Sequence, residues 1–319
     1  MATSKTKRKA ASPRPVQHPK RAAAQRRGPS RLLWLAAASP LILAAAILAI
    51  WLPSRGNNSS TGAPAVRAAA SLPNTPDYHS LLVDPKDPQH LWLGTHAGLY
   101  ESTDGGRTWN EAGLGGQDAM NLVRSSSQTI WTAGHMMFAK STDGGASWSN
   151  VTPNGLPSLD IHGFAVDPRN PRHLYAAVAG EGLYQSTDAG ASFALVSRTV
   201  GPGVMALAVA PDKRILAGDM NQGLLMSRNG GESWTGVLGE GLLGLTINPK
   251  RPTRMLATGS SGVSLSTDGG SSWHVVQPIA DGAGPIAWAP SRPKVAYAVG
   301  FDRVLYKSMN GGTLWQPVS

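Results

Sequence analysis

One octet, repeated six times, limits what this chain can fold into more than any other feature. Ser102-Thr-Asp104-Gly-Gly106-Arg-Thr-Trp109 recurs as Ser141 to Trp148, Ser186 to Phe193, Ser227 to Trp234, Ser266 to Trp273 and Ser308 to Trp315. The leading serines stand 39, 45, 41, 39 and 42 residues apart. That is the length of one four-stranded propeller blade and too long for a leucine-rich repeat. Around each copy the same grammar returns. An apolar strand runs into a turn, as in Leu81-Leu-Val-Asp84-Pro85 or Phe164-Ala-Val-Asp167-Pro168; a second strand follows, such as His90 to Gly94; a third, such as Gly98 to Ser102, leads into the octet and a closing strand. Turn pieces recur as Pro211-Asp212, Asn248-Pro249 and Pro290, while the second repeat substitutes Ser125-Ser126-Ser127. Four strands in each of six repeats predict an all-β, six-bladed β-propeller over 77–319, seven blades being the alternative count. The 61 glycines and prolines, against 20 aromatic residues, agree with many short strands joined by tight turns.

The octet has the chemistry of a self-braced hairpin. A serine hydroxyl and a short acceptor side chain can take hydrogen bonds from turn amides, glycine tolerates positive φ, and a terminal aromatic folds under the turn. The acceptor is Asp104, Asp143, Asp188 and Asp268, but Asn229 and Asn310 in the fourth and sixth copies. An oxygen is needed there more than a charge, which argues against calcium, a cation that wants several carboxylates. The glycines Gly106, Gly145, Gly190, Gly231, Gly270 and Gly312 and the aromatics Trp109, Trp148, Phe193, Trp234, Trp273 and Trp315 are therefore scaffold.

These residues resemble those of the Asp-box, or BNR-repeat, β-propeller superfamily, which includes sialidases, xyloglucanase-type glycoside hydrolases, sortilin-type receptors and photosystem II assembly factors. The resemblance covers about residues 77 to 319. It implies that the box is structural and lies away from the working surface, and it leaves function open because one fold hosts unrelated roles. A sialidase of this type would need three arginines, a Tyr nucleophile paired with Glu and an acid/base Asp. The relevant loops offer only Arg198 and Arg303. Xyloglucanase-type enzymes place two acids between two propellers, whereas the repeats here suffice for one.

Strand order puts the Asp-Pro turns and the boxes on one face, the bottom. The opposite, top face is formed by segments near 94–98, 133–137, 178–182, 218–223, 258–262 and 299–303, with the connectors between blades. For catalysis these segments supply Asp118, Glu181, Asp219 and Asp302 as candidates, with Asp160 and Asp281 beside them. Two carboxylates about 5 Å or about 6.5–9.5 Å apart would be required for a glycosidase. His96, His135, His162, Arg198 and Arg303 are candidate top-face binding residues. The three histidines are conceivable metal ligands, yet loop histidines are commonly just solvated, so neither a metal nor a cofactor is expected. Loops this short make a shallow surface suited to docking a protein or glycan. The expected role is a binding or assembly module; the alternative is an exo-sialidase-like or other glycoside hydrolase using top-face carboxylates.

The net charge of +10 is a local property. Residues 1–31 carry Lys5, Lys7, Arg8, Lys9, Arg14, Lys20, Arg21, Arg26, Arg27 and Arg31 with no acid, leaving nineteen basic against nineteen acidic side chains elsewhere. A neutral body makes nucleic acid an unlikely partner. The basic arm lacks the apolar residues to form a core and is expected to be disordered. Leu32 to Leu52 is an uncharged run of 21 residues, long enough for a helix to cross a hydrocarbon core of about 30 Å, a cleaved export signal being the alternative reading. The basic cluster before it predicts a cytoplasmic N-terminus and an extracytoplasmic body at the cell membrane. Residues 53–76, rich in Pro, Ser, Gly and Ala, are expected to form a stalk. A strand from 63–70 is a candidate clasp on the last blade. The chain has no cysteine, which excludes disulfides and thiolate chemistry.

Overall fold

The computed structural model describes residues 71–319. The basic arm, the span Leu32 to Leu52, the stalk up to residue 70 and the 63–70 clasp lie outside the described residues. Among the described residues, no helix is long and apolar enough to cross a membrane.

Twenty-four strands form six four-stranded antiparallel sheets, each built from four consecutive strands. Blade count is therefore six. The innermost strands, Ser80–Val83, Asn121–Arg124, Ile161–Asp167, Val204–Val209, Leu242–Ile247 and Ala283–Trp288, surround a central channel. Second and third strands are largely buried, as in Leu91–Thr95 and Gly223–Ser227, and are mostly apolar. Fourth strands are short and exposed, as at Asn110–Glu111, which blunts the outer edges against pairing with other chains.

The turn between first and second strands is capped by its own side chains. Asp84 Oδ1 accepts from Lys86 N at 2.7 Å and Asp87 N at 3.1 Å. In the second repeat Ser126 Oγ replaces the carboxylate, accepting from Thr129 N at 2.9 Å. The boxes are braced by their own side chains. Ser102 Oγ accepts from Gly106 N at 2.8 Å and donates to Asp104 Oδ1 at 2.8 Å. Asp104 also accepts from the amides of Arg107 and Thr108, and Trp109 Nε1 donates to Gly106 O at 3.1 Å. Asn229 and Asn310 do the same work with an amide oxygen, taking Ser233 N at 3.0 Å and Leu314 N at 2.9 Å.

Each box glycine is also where the preceding blade docks. A Cβ at Gly145 would approach Trp92, at Gly190 Trp131, at Gly231 Leu183, at Gly270 Met226 and at Gly312 Leu256. The ring closes with the same joint: a Cβ at Gly106 of blade 1 would lie 2.1 Å from Leu305 of blade 6. Tyr297 Oη donates to Pro88 O at 2.9 Å across this seam, and Leu72 and Tyr78 pack with Val295, Val299 and Val318 of the last blade. Arg303 clamps the leading segment, with Nη2 3.1 Å from Asn74 Oδ1 and its guanidinium over the Tyr78 ring.

The box carboxylates make stability depend on acid. Burial alone would raise Asp104, but the Thr108 hydroxyl and amide, the Ser102 hydroxyl and the Arg107 amide outweigh it and hold the carboxyl at about 2. The hydroxyls of Ser147, Ser192 and Ser272 are the first cause of depression at Asp143, Asp188 and Asp268, which lie well below the usual range. A depressed folded-state value contributes stability above the unfolded value of about 3.9, and loses it as pH falls through the folded one. The melting temperature of the wild type is thus expected to drop between about pH 4 and pH 2. The fourfold change of Asp104, Asp143, Asp188 and Asp268 to Asn keeps the oxygens and should flatten that drop; an unchanged acid profile would refute the assignment.

Candidate functional site

The top turns form a single ring of equivalent positions. The first residue after the second strand's inward run is, in blade order, His96, His135, Ala179, Met220, Ser260 and Phe301. By pairing register, the innermost strands bring His79, Met120, His162, Met205, Leu243 and Gly284 to the same level. Two residues earlier stand Asp77, Asp118, Asp160, Gly203, Gly241 and Gly282. Main-chain bonds tie these sets together, as in Ala179 N to Asp160 O, Met220 N to Gly203 O and Phe301 N to Gly282 O. Blades 1 to 3 therefore carry every aspartate and histidine of these sets, beside Met120 and Ala179, whereas blades 4 to 6 carry methionine, leucine, serine, phenylalanine and glycine.

In the polar half the side chains form a continuous row. Asp77 contacts His96 Nδ1 through Oδ2 and lies 3.3 Å from His79 Nε2 through Oδ1. His79 Nε2 and His96 Nδ1 are 2.9 Å apart. Asp118 Oδ2 stands between blades, 3.2 Å from His96 Nε2 and 2.8 Å from His135 Nδ1. Beyond it, His135 Nε2 is 3.6 Å from Asp160 Oδ1 and 3.0 Å from His162 Nε2. Burial is the main influence on His79 and lowers its imidazole below the ordinary value, against the opposing pull of Asp77.

The channel mouth has a different character. Met120, Met205, Leu243, Gly284 and Phe301 line a depression there together with Asp77, Tyr78 and His79. On the top turns Met136 is 79% exposed, Met220 51% and Phe301 43%. These three occupy the tight turns of alternate blades 2, 4 and 6.

The remaining sequence candidates lie on their own turns. Asp219 is buried; its Oδ1 caps its turn, accepting from Asn221 N at 2.7 Å and Gln222 N at 2.9 Å, while its Oδ2 has no hydrogen-bond partner. Asp302 accepts from Val304 N at 3.2 Å and Tyr306 Oη at 2.6 Å; burial, then this bond, push the Tyr306 phenol up to about 12. Glu181 pairs with Arg198 Nη1 at 3.0 Å. Asp281 is exposed. Of the predicted residues, then, the fold gathers His96, Asp118, His135, Asp160 and His162, while the others stay apart on their own turns. Asp77, His79 and the methionines went unrecognised as site residues in the sequence. The first two had a signal, because Asp77-Tyr-His79 and Asp160-Ile-His162 share one spacing at equivalent strand starts.

Residues 72–202, which hold blades 1 to 3, match the sequence model of the family described as photosynthesis system II assembly factor YCF48. No curated protein sequence matches this chain. Among solved structures, the GH74 xyloglucanase from Xanthomonas campestris is similar, 19% identical with a TM-score of 0.56 over 79% of this chain and 46% of that one. This chain thus spans less than half of that enzyme's length. A structure of YCF48 bound to D1 peptide is 20% identical with a TM-score of 0.51, covering 78% of this chain and 84% of that one. The extracellular domain of BT4673 from B. thetaiotaomicron is 13% identical with a TM-score of 0.52, over 78% and 33% of the two chains. At these identities the likeness establishes the propeller fold.

Proposed function

Starting from the premise that this chain is an Asp-box repeat β-propeller, we propose that it is a docking and assembly module that holds a protein partner on its top face. Under this proposal Leu32 to Leu52 anchors the chain in the cell membrane, with the propeller on the extracytoplasmic side. The observation that carries it is the apolar character of the channel mouth and of three top turns. Met120, Met205, Leu243 and Phe301 line the mouth, and Met136 and Met220 are exposed on top turns of blades 2 and 4. Methionine side chains are unbranched and polarizable, so such a surface accommodates apolar side chains of a peptide without a rigid pocket. The D1 peptide bound by the similar YCF48 propeller is the kind of ligand this mouth would suit. A glycan would instead call for aromatic platforms among polar groups, and the rim offers one exposed aromatic residue.

Photo-crosslinking separates the faces. A crosslinker at Met220 or Phe301 is expected to give a discrete adduct in native membranes, whereas one at Met309 or Leu314, exposed on the bottom boxes, should give none. The double change Met220→Glu and Phe301→Glu should abolish the adduct, since two desolvated anions would oppose an apolar contact. Adducts of equal yield from the bottom, or release of reporter from fluorogenic glycosides that is lost in Asp219→Asn, would overturn the docking role.

A further inference from the structure

The polar half of the top ring has the makings of a metal centre that neither the Asp-box scaffold nor a docking role requires. Three observations point there. First, Asp118 is only 8% exposed, yet neither carboxylate oxygen has a hydrogen-bond partner of acceptable geometry. A buried carboxylate without such a partner is costly. The imidazole nitrogens beside it, 3.2 and 2.8 Å away, are close without being aligned as donors. Second, the three ligand atoms are near enough to share one ion. Bonds of about 2.0–2.1 Å at tetrahedral angles put ligand atoms about 3.3 Å apart, and one ligand atom from each of His96, Asp118 and His135 lies within 4.8 Å of the others.

Third, carboxylates stand on the far sides of both rings. His96 turns Nε2 towards Asp118 and Nδ1 onto the Asp77 carboxylate. His135 turns Nδ1 towards Asp118, and its Nε2 lies 3.0 Å from His162 Nε2 and 3.6 Å from Asp160 Oδ1. A metal-binding imidazole characteristically donates its other N–H to a carboxylate, which fixes tautomer and ring orientation. Asp77 gives His96 that outer carboxylate, and Asp160, at the equivalent position two repeats on, is the one beside His135. Charge favours a cation as well. Among the described residues, the ion-pair partners of Asp77, Asp118 and Asp160 are histidines, with no lysine or arginine against them.

We propose that His96 Nε2, the Asp118 carboxylate and His135 Nδ1 bind one divalent transition-metal ion of the zinc type, with Asp77 and Asp160 positioning the two imidazoles. Two imidazoles and one carboxylate suit zinc and its neighbours over magnesium or calcium, which prefer all-oxygen shells. The two histidine side chains are 39% and 45% exposed, so the fourth coordination position opens to solvent and to whatever rests on the top face. The proposal stands apart from the docking role, because it concerns metal binding by the free protein.

The test is metal titration of the full, tag-free chain in detergent, stripped with a chelator. One equivalent of Zn2+ is expected to bind, with Co2+ giving the visible absorption of a four-coordinate site and with excess Mg2+ or Ca2+ failing to compete. His96→Gln and His135→Gln alter exposed turns and should each weaken Zn2+ at least about 100-fold, more than loss of an outer-shell partner does. Asp160→Asn should cost about 10–100-fold. His173→Gln, a residue that contacts Gln185 and lies away from the row, should bind as the wild type does. Circular dichroism melts of each variant establish that it is folded, and Asp118→Asn adds to the set if it is. No stoichiometric Zn2+ binding, equal competition by Ca2+, or wild-type affinity in folded His96→Gln and His135→Gln would each overturn the site.

Discussion

Gly106→Ala is expected to lower stability by about 2–5 kcal/mol and the melting temperature by roughly 5–15 °C. The estimate has two sources. Gly106 has φ of +91°, a conformation that costs a residue with a Cβ about 1–2 kcal/mol. Its new methyl would also stand 2.1 Å from Leu305 Cδ2, and Leu305 is buried in the seam between the last blade and the first. Overpacking of that kind adds about 1–3 kcal/mol, and a propeller of this size loses about 2–4 °C for each kcal/mol. Gly230→Ala isolates the second source. Gly230 has φ of +73° with nothing near its would-be Cβ, so only the backbone cost of about 1–2 kcal/mol should appear. Equal melting temperatures for the two variants would mean that the seam is not packed as described.

The second large effect lies between blades 2 and 3. Phe138 is fully buried, with its ring centroid 5.1 Å from Trp131, 5.3 Å from Phe164 and 6.1 Å from Phe193. Phe138→Ala empties the centre of this four-ring cluster, and the expected loss is about 3–5 kcal/mol. Chemical denaturation of the two proteins measures it directly. A loss under about 1 kcal/mol, the size of an ordinary surface change, would show that the neighbouring rings collapse into the space. Phe193, the one box aromatic that is not Trp, is buried among these rings.

Fold and site were legible to different depths. The octet, blade length and face assignment rest on contacts within four or five residues, and each reappears as hydrogen bonds such as Ser186 Oγ with Gly190 N. Such local braces leave a repeating trace in the sequence. The Asp–His row leaves only a faint one, because it joins side chains from three blades and its order depends on strand register. Asp118 and His96 are 22 residues apart in the chain, yet they meet because the connector after blade 1 lies over the first top turn, with Ala119 N bonded to Thr95 O. Asp219 and Asp302 misled for a related reason. An aspartate two residues ahead of the amide it caps is ordinary turn chemistry, and sequence position alone does not separate that from a poised acid. The sequence argued against a metal by weighing histidines one at a time; their shared carboxylate becomes visible only once the blades are ranged side by side.

Among the described residues every sheet is made of consecutive strands, so no blade there combines strands from distant parts of the sequence. Five joints form between sequence neighbours, whereas Leu305 meets Gly106 across 199 residues. Loop-closure entropy weighs most on that one contact, and stacked repeats otherwise exchange stability mainly with their neighbours. The circle is therefore expected to part first, under heat or tension, where beginning meets end.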